Sequence, residues 1–220
     1  MTTQIKAPKA PNLILAKENY GMNTEEQFRN QLRLYFNQLD AMSQQLLTGA
    51  GGQSIDFPHI AAYYDADQYA SADDTATKVL WNNVSDVSGF TLNVDNTATA
   101  SYDGTYKIEY RLQAVNTDNV AHDVVVWLQI NGSDLANSAT KFTVPARKSA
   151  GVYTFNTLAS FVSWETTAND NFALYWATEK AYDAGVADGI YLEHEAAQTT
   201  PYNHPAIPSS YGVIQYIGRE

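Results

Sequence analysis

The chain has 220 residues, 45% of them hydrophobic and 12% aromatic, with a formal net charge of −11 and no cysteine. Such a length supports one sizeable core with an appendage, and the missing cysteines exclude disulfides and thiolate metal sites, leaving packing or self-association to supply stability. Within residues 1–50 the basic Lys6, Lys9, Lys17, Arg29 and Arg33 exceed the acidic Glu18, Glu25, Glu26 and Asp40 by one, so residues 51–220 carry −12, a sign that repels phosphate backbones and argues against a nucleic-acid partner.

Residues 1–22 read as an extended arm. Pro8 and Pro11 fix φ and push the residues before them toward extended geometry, and Gly21 closes the segment. Lys6, Lys9 and Lys17 make the arm basic, while Leu13, Ile14 and Leu15 give it an apolar patch. That combination suits docking along a surface, either of the protein's own assembly or of another protein; a partly disordered terminus is the alternative. "PNLILA" is too short for the apolar core of a secretory leader, and no stretch reaches the roughly 20 apolar residues of a bilayer span. The expectation is a soluble, unprocessed protein with no membrane partner.

Residues 23–49 predict an amphipathic helix. Asn23 and Glu26 form a capping-box variant, Glu25 and Glu26 sit in the first turn where the helix dipole favours acids, and Gly49 supplies a stop. Phe28, Leu32, Tyr35, Leu39, Met42 and Leu46 recur at alternating spacings of four and three, the pattern of a coiled-coil seam or bundle face. The helix therefore wants partners, through self-association or by packing on its own sandwich. "GAGGQS" after it reads as a hinge, and residues 50–77 as a linker and irregular connector without sustained periodicity.

From residue 78 to 220 the sequence becomes strand after strand. In "TYKIEYRLQA" Tyr106, Ile108, Tyr110, Leu112 and Ala114 point one way and charged or polar residues the other, as on a sheet with one wet face. In "DVVVWLQI" Val124, Val126, Leu128 and Ile130 share the core side, leaving Val125 and Trp127 outward to be covered by another sheet or another subunit. Further strands are expected at "GFTLNV", "TATAS", "KFTV", "GVYTFNTLASFVSW", "NFALYWAT", "GIYLEH" and "YGVIQYIG", separated by turn signals such as Asn131-Gly132. About nine short strands with no long helix between them imply a mainly β fold, an antiparallel sandwich or jelly roll.

Signals for chemistry are sparse. His59, His122, His194 and His204 lack ligand spacing, and "EHE" at 193–195 splits its groups across two strand faces. Asp65, Asp67, Asp73 and Asp74 offer oxygen ligands suited to calcium but lack the glycine and terminal glutamate of the helix-loop-helix cation site; a solvated acidic loop is the other reading. There is no Gly-x-Ser-x-Gly, no phosphate loop and no carboxylate pair singled out for glycoside hydrolysis. The reading is a non-enzyme without metal or cofactor. The 15 tyrosines suit a carbohydrate or receptor surface and a subunit interface equally well.

An ordered series of motifs resembles a known family. "DGTY" (Asp103–Tyr106, with Gly104) opens a long strand, and "VVVWLQINGSD" (Val124–Asp134) gives the tryptophan strand and its turn, with Ser138 following. "ANDNFALYW" (Ala168–Trp176) leads into another strand, with Asn169 and Asp170 where a Gly-Asp pair is commoner. "HPAIPSSYGVIQYI" (His204–Ile217), with Pro205 and Pro208, makes the proline-rich approach to the last strand. Together, over about residues 78–218, these resemble the trimeric jelly-roll domain of the tumour-necrosis-factor and complement-head type, in the version found in virion proteins of tailed bacteriophages. The arm and helix also resemble the openings of some short-tailed phage structural proteins. The resemblance implies a homotrimer without catalytic activity, located in the virion as a decoration, fibre or adaptor. Its implied partners are its own copies and other capsid or tail proteins; the alternative is a tip that binds a host receptor or glycan.

Overall fold

The structure is a computed structural model that describes residues 9, 11, 21–47, 57–201 and 203–218. The chain divides into two compact units, Met1–Asp56 and Phe57–Glu220. In the first, α1 spans Met22–Leu47. Its start is set by Gly21, whose carbonyl accepts from the Thr24 and Glu25 amides. Asn23, expected as the cap, instead lies inside the first turn. Glu25 and Arg29, one turn apart, form an ion pair at 2.5 Å.

The second unit is all strand and loop. Along the chain run β1 (His59–Tyr64), β2 (Gln68–Tyr69), β3 (Thr77–Lys78), β4 (Asn83–Ser88), β5 (Phe90–Leu92), β6 (Ala98–Ala100) and β7 (Gly104–Asn116). After them come β8 (His122–Ile130), β9 (Ser133–Asp134), β10 (Thr140–Val144), β11 (Thr154–Thr166), β12 (Asn171–Thr178), β13 (Ile190–Leu192) and β14 (Ser210–Gly218). They form two antiparallel sheets. In the first, β11, β7, β14, β1 and β4 lie side by side, with β13 and β2 continuing from the far end of β7. In the second, the order is β10, β8, β12, β6 and β5, with β3 beside β12 and β9 beside β8. The chain crosses between sheets at every step from β2 to β5, then from β6 to β7, β7 to β8, β10 to β11, β11 to β12 and β12 to β13. This winding makes the sandwich a jelly roll, as the strand pattern predicted.

The core follows from alternation. Tyr106, Ile108, Leu112 and Ala114 of β7 are fully buried and face Val124, Val126 and Leu128 of β8 and Phe172, Leu174 and Trp176 of β12, all at 0–1% exposure. Several motif residues now have physical reasons. Gly104 has φ +148°, and a Cβ there would lie 2.4 Å from the Tyr216 ring, so no other residue fits without displacing that ring. Asn131 and Gly132 both have positive φ and close the expected two-residue hairpin between β8 and β9. Asn169 has φ 72°, the left-handed region where glycine is commonest and asparagine tolerated. Ser138 is buried, accepting from the Leu128 amide at 3.1 Å and donating to the Leu135 carbonyl at 2.8 Å.

The sandwich begins earlier than the expected boundary at residue 78. β1, β2 and β3 lie within the stretch read as a connector, and β1 is interior, flanked by β14 and β4. Ile60, Ala61 and Ala62 are all buried, the small Ala61 on the outer side included, so the run shows no alternation to read. The acidic stretch 65–74 is tied into the fold by its carboxylates. Asp65 accepts from Asn82, Asp67 from the His194 amide and Asp73 from the Ala181 amide.

Between β7 and β8, the Asp118 carboxylate lies 2.8 Å from His122 Nε2, and both side chains are mostly covered. The hydrogen bond from His122 holds the Asp118 carboxyl below its ordinary value, against an opposing effect of desolvation. A group with a depressed folded-state pKa stabilises fully above the ordinary carboxylate value of about 4 and loses that contribution as pH falls through its lowered one. Asp118→Asn is therefore expected to make unfolding midpoints in urea less sensitive to acid below about pH 4, with little change in slope near neutrality. An unchanged acid limb contradicts this role for Asp118.

Candidate functional site

Among the described residues β11 pairs only with β7, so it is an edge strand, thirteen residues long. Every second side chain on it, Phe155, Thr157, Ala159, Phe161, Ser163 and Glu165, is exposed, while Leu158 and Trp164 between them are buried. Phe155 is 54% and Phe161 69% exposed. Strand register fixes their neighbours on the outer face of the first sheet. Beside Phe161 follow Glu109, Val213, Ala61 and Asp86. Beside Phe155 follow Val115, Tyr191 and Tyr69.

That second row is largely aromatic. Tyr69 and Tyr191 stack with ring centroids 5.4 Å apart, and Tyr182 lies 5.6 Å and 5.1 Å from them. The Tyr191 hydroxyl donates to Glu193 Oε1 at 3.0 Å, and the Tyr69 hydroxyl to Asp67 Oδ2 at 3.2 Å. Burial raises the Tyr191 phenol far above its ordinary value, keeping it a donor. Burial also raises the Glu193 carboxyl, opposed by the Tyr191 hydrogen bond and assisted by Asp67 and Glu195. In the other row Lys107 Nζ bonds Glu109 at 2.5 Å and sits 5.8 Å from the Phe161 ring centroid, a cation–π distance. His59 Nε2 lies 3.1 Å from Asp86 Oδ2. The face thus sets Lys107 beside Glu109 and His59 beside Asp86.

On this face Phe155, Phe161 and Tyr69 are exposed while Val115 and Tyr191 are buried, and a long edge strand bearing exposed rings is a contact that single chains usually blunt. Among the described residues no group of three or more His, Asp or Glu is placed to hold a metal ion, and no helix is long and apolar enough to cross a membrane.

The residues expected from sequence are distributed as follows. Gly104, Tyr106, Asn131, Gly132 and Trp176 shape or fill the sandwich rather than its surface. Pro205 is exposed and Pro208 half-buried in the loop before β14. Val125 and Trp127 face outward on β8, as alternation required, but the cover comes partly from their own sheet. Trp127 stacks on Tyr175 at 6.0 Å and donates to Asp134 at 2.6 Å, while Val125 sits between Lys141 and Ala177. The large exposed rings lie on the opposite sheet. On α1, Phe28, Leu32, Tyr35, Leu39 and Met42 are half-buried and Leu46 is 40% exposed; Leu34 and Phe36, outside the expected seam, are over 60% exposed. Of the docking arm, Lys9 is exposed; Lys6, Leu13, Ile14, Leu15 and the "GAGGQS" hinge lie outside the described residues.

No family model matches the sequence, and no curated protein matches it. Among solved structures the chain is similar to Eiger TNF from S. frugiperda, at 13% identity and a TM-score of 0.45, covering 74% of this chain and 95% of that one.

Proposed function

We propose that this chain is a non-enzymatic structural protein of a tailed-bacteriophage virion. In this reading it is a homotrimeric jelly-roll knob, carried on the particle by its N-terminal arm and helix. The observation that carries the self-association is the outer face of the first sheet, where Phe155 and Phe161 stand exposed on an edge strand, with Tyr69 exposed further along the Phe155 row. Exposed rings on an unpaired edge are an aggregation hazard in a monomer and a ready contact in a closed oligomer. The motif series from Gly104 to Ile217 supports the virion class, and the basic, proline-bracketed arm with the heptad helix supports docking through residues 1–49.

Particles assembled with protein lacking residues 1–49 test the docking role. The truncated chain, which keeps the whole sandwich unit Phe57–Glu220, is expected to fold as a β-rich protein and to be missing from purified particles. A normal complement of truncated protein on the particles would place attachment in the sandwich and overturn this assignment of arm and helix.

A further inference from the structure

The outer face of the second sheet carries a different feature. Three residues stand in register across it, Lys78 on β3, Tyr175 on β12 and Trp127 on β8. The Trp127 and Tyr175 rings are stacked at 6.0 Å with planes 27° apart. Beside them, Ala173 on β12 is the small floor of a cleft of about 340 Å³ walled by Lys78, Asp95, Gln129, Asn171 and Tyr175. The cleft exists because β3 and β6 pair with different stretches of β12, leaving a gap between them over residues 173–174. Four segments of chain meet there.

Its polar groups are held in place by hydrogen bonds to neighbouring residues and, for Lys78, across the cleft wall. Gln129 Nε2 donates to Asp134 at 2.8 Å, the same carboxylate oxygen that accepts from the Trp127 indole. That bond leaves Gln129 Oε1 as an open acceptor among the described residues. Asn171 Oδ1 accepts from the Thr99 hydroxyl, leaving its Nδ2 as an open donor, and its backbone amide is bound by Asn131 at 2.9 Å. Lys78 Nζ donates to the Asp95 carbonyl at 2.9 Å and lies 3.7 Å from the Asp95 carboxylate, with further protons to offer. The Tyr175 hydroxyl has no partner among the described residues. Acceptors and donors of fixed orientation therefore surround a small floor beside the Tyr175 ring, with little left to reorganise on binding.

We propose that this cleft binds a neutral pyranose, with the C–H face of the sugar on the Tyr175 ring, which Trp127 backs from outside the cleft, and vicinal hydroxyls bonded to Gln129, Asn171 and Lys78. The chemistry excludes other small ligands in turn. A purely apolar molecule would desolvate Lys78, Asp95, Gln129 and Asn171 without replacing their water. An anionic one would meet a lysine already balanced by Asp95, with Asp134 adding negative charge nearby. A ring with one apolar face and equatorial hydroxyls satisfies both the aromatic plate and the amides. The inference stands on the second sheet alone and does not depend on where the protein sits or on its oligomeric state.

Titration of the full-length chain with neutral methyl pyranosides of the gluco, galacto, manno and N-acetylglucosamine types, followed by tryptophan fluorescence and by NMR shifts, tests it. One of them is expected to saturate with a Kd on the order of 1 mM, and the fluorescence response should vanish in Trp127→Phe. Tyr175→Ala should weaken binding by about tenfold or more, and Tyr175→Phe, which keeps the plate, by much less. If Tyr175→Ala fails to fold, Gln129→Ala and Asn171→Ala on the cleft wall serve instead, each expected to weaken binding severalfold while the circular dichroism stays unchanged. Thr157→Ala on the opposite sheet should leave binding intact. Absence of saturable binding by every pyranoside overturns the proposal. So does binding that survives all the cleft variants, or tighter binding of a uronic-acid pyranoside than of its neutral counterpart.

Discussion

Trp176→Ala is expected to destabilise the sandwich by about 3–5 kcal/mol, the range for truncating a large buried aromatic side chain. Trp176 is fully buried at the centre of β12, with Val126 opposite on β8 and Thr77 on β3. A loss of that size is a substantial part of a domain's stability, roughly 5–15 kcal/mol in all. The variant should therefore unfold at a clearly lower urea concentration than the parent. Urea unfolding at a fixed protein concentration checks it, since association shifts apparent midpoints by mass action. Trp127→Ala is the comparison. Its ring lies half-buried on the outer face, so it should cost far less, and equal losses at the two positions would contradict the assignment of inner and outer faces.

Replacing Phe155 and Phe161 together by serine is expected to dissociate the assembly while leaving the sandwich folded. Both rings already stand more than half exposed, so their removal costs the isolated domain little. Buried against a second copy, each would contribute roughly 1–2 kcal/mol, less than a fully buried phenylalanine because each is already partly covered. The loss is repeated at every interface of a closed ring. Sedimentation of the variant should show single chains at concentrations where the parent is assembled, with an unchanged circular dichroism spectrum. Assembly as strong as the parent's would remove the first sheet's outer face from the account.

The difference between these two aromatic sets shows how far the sequence could be read. "TYKIEYRLQA" and "DVVVWLQI" alternate because one face of each strand is wet, so the inward side of Tyr106, Val126 and Leu128 was legible residue by residue. β1 was not, because Ile60, Ala61 and Ala62 are buried on both faces. β4 was not either, because a mostly exposed edge strand such as "NVSDVS" carries no apolar period. The outward aim of Phe155 and Phe161 is implicit in the alternation of "TFNTLASFVSW". The row that Phe155 begins is not, since Val115, Tyr191 and Tyr69 become neighbours only through pairings between distant strands. The cleft beside Tyr175 has the same origin: Lys78, Asp95, Gln129 and Asn171 meet through register and share no motif. Local chemistry did explain Gly104, Asn131 and Gly132, whose backbone angles few residues tolerate.

The mass of the purified full-length chain in solution tests the central claim, that the jelly roll closes on its own copies, most directly. Sedimentation across the micromolar range is expected to give a species of three chains, each of 24.3 kDa, whose proportion does not fall on moderate dilution. A species of single-chain mass that persists as concentration rises would contradict it.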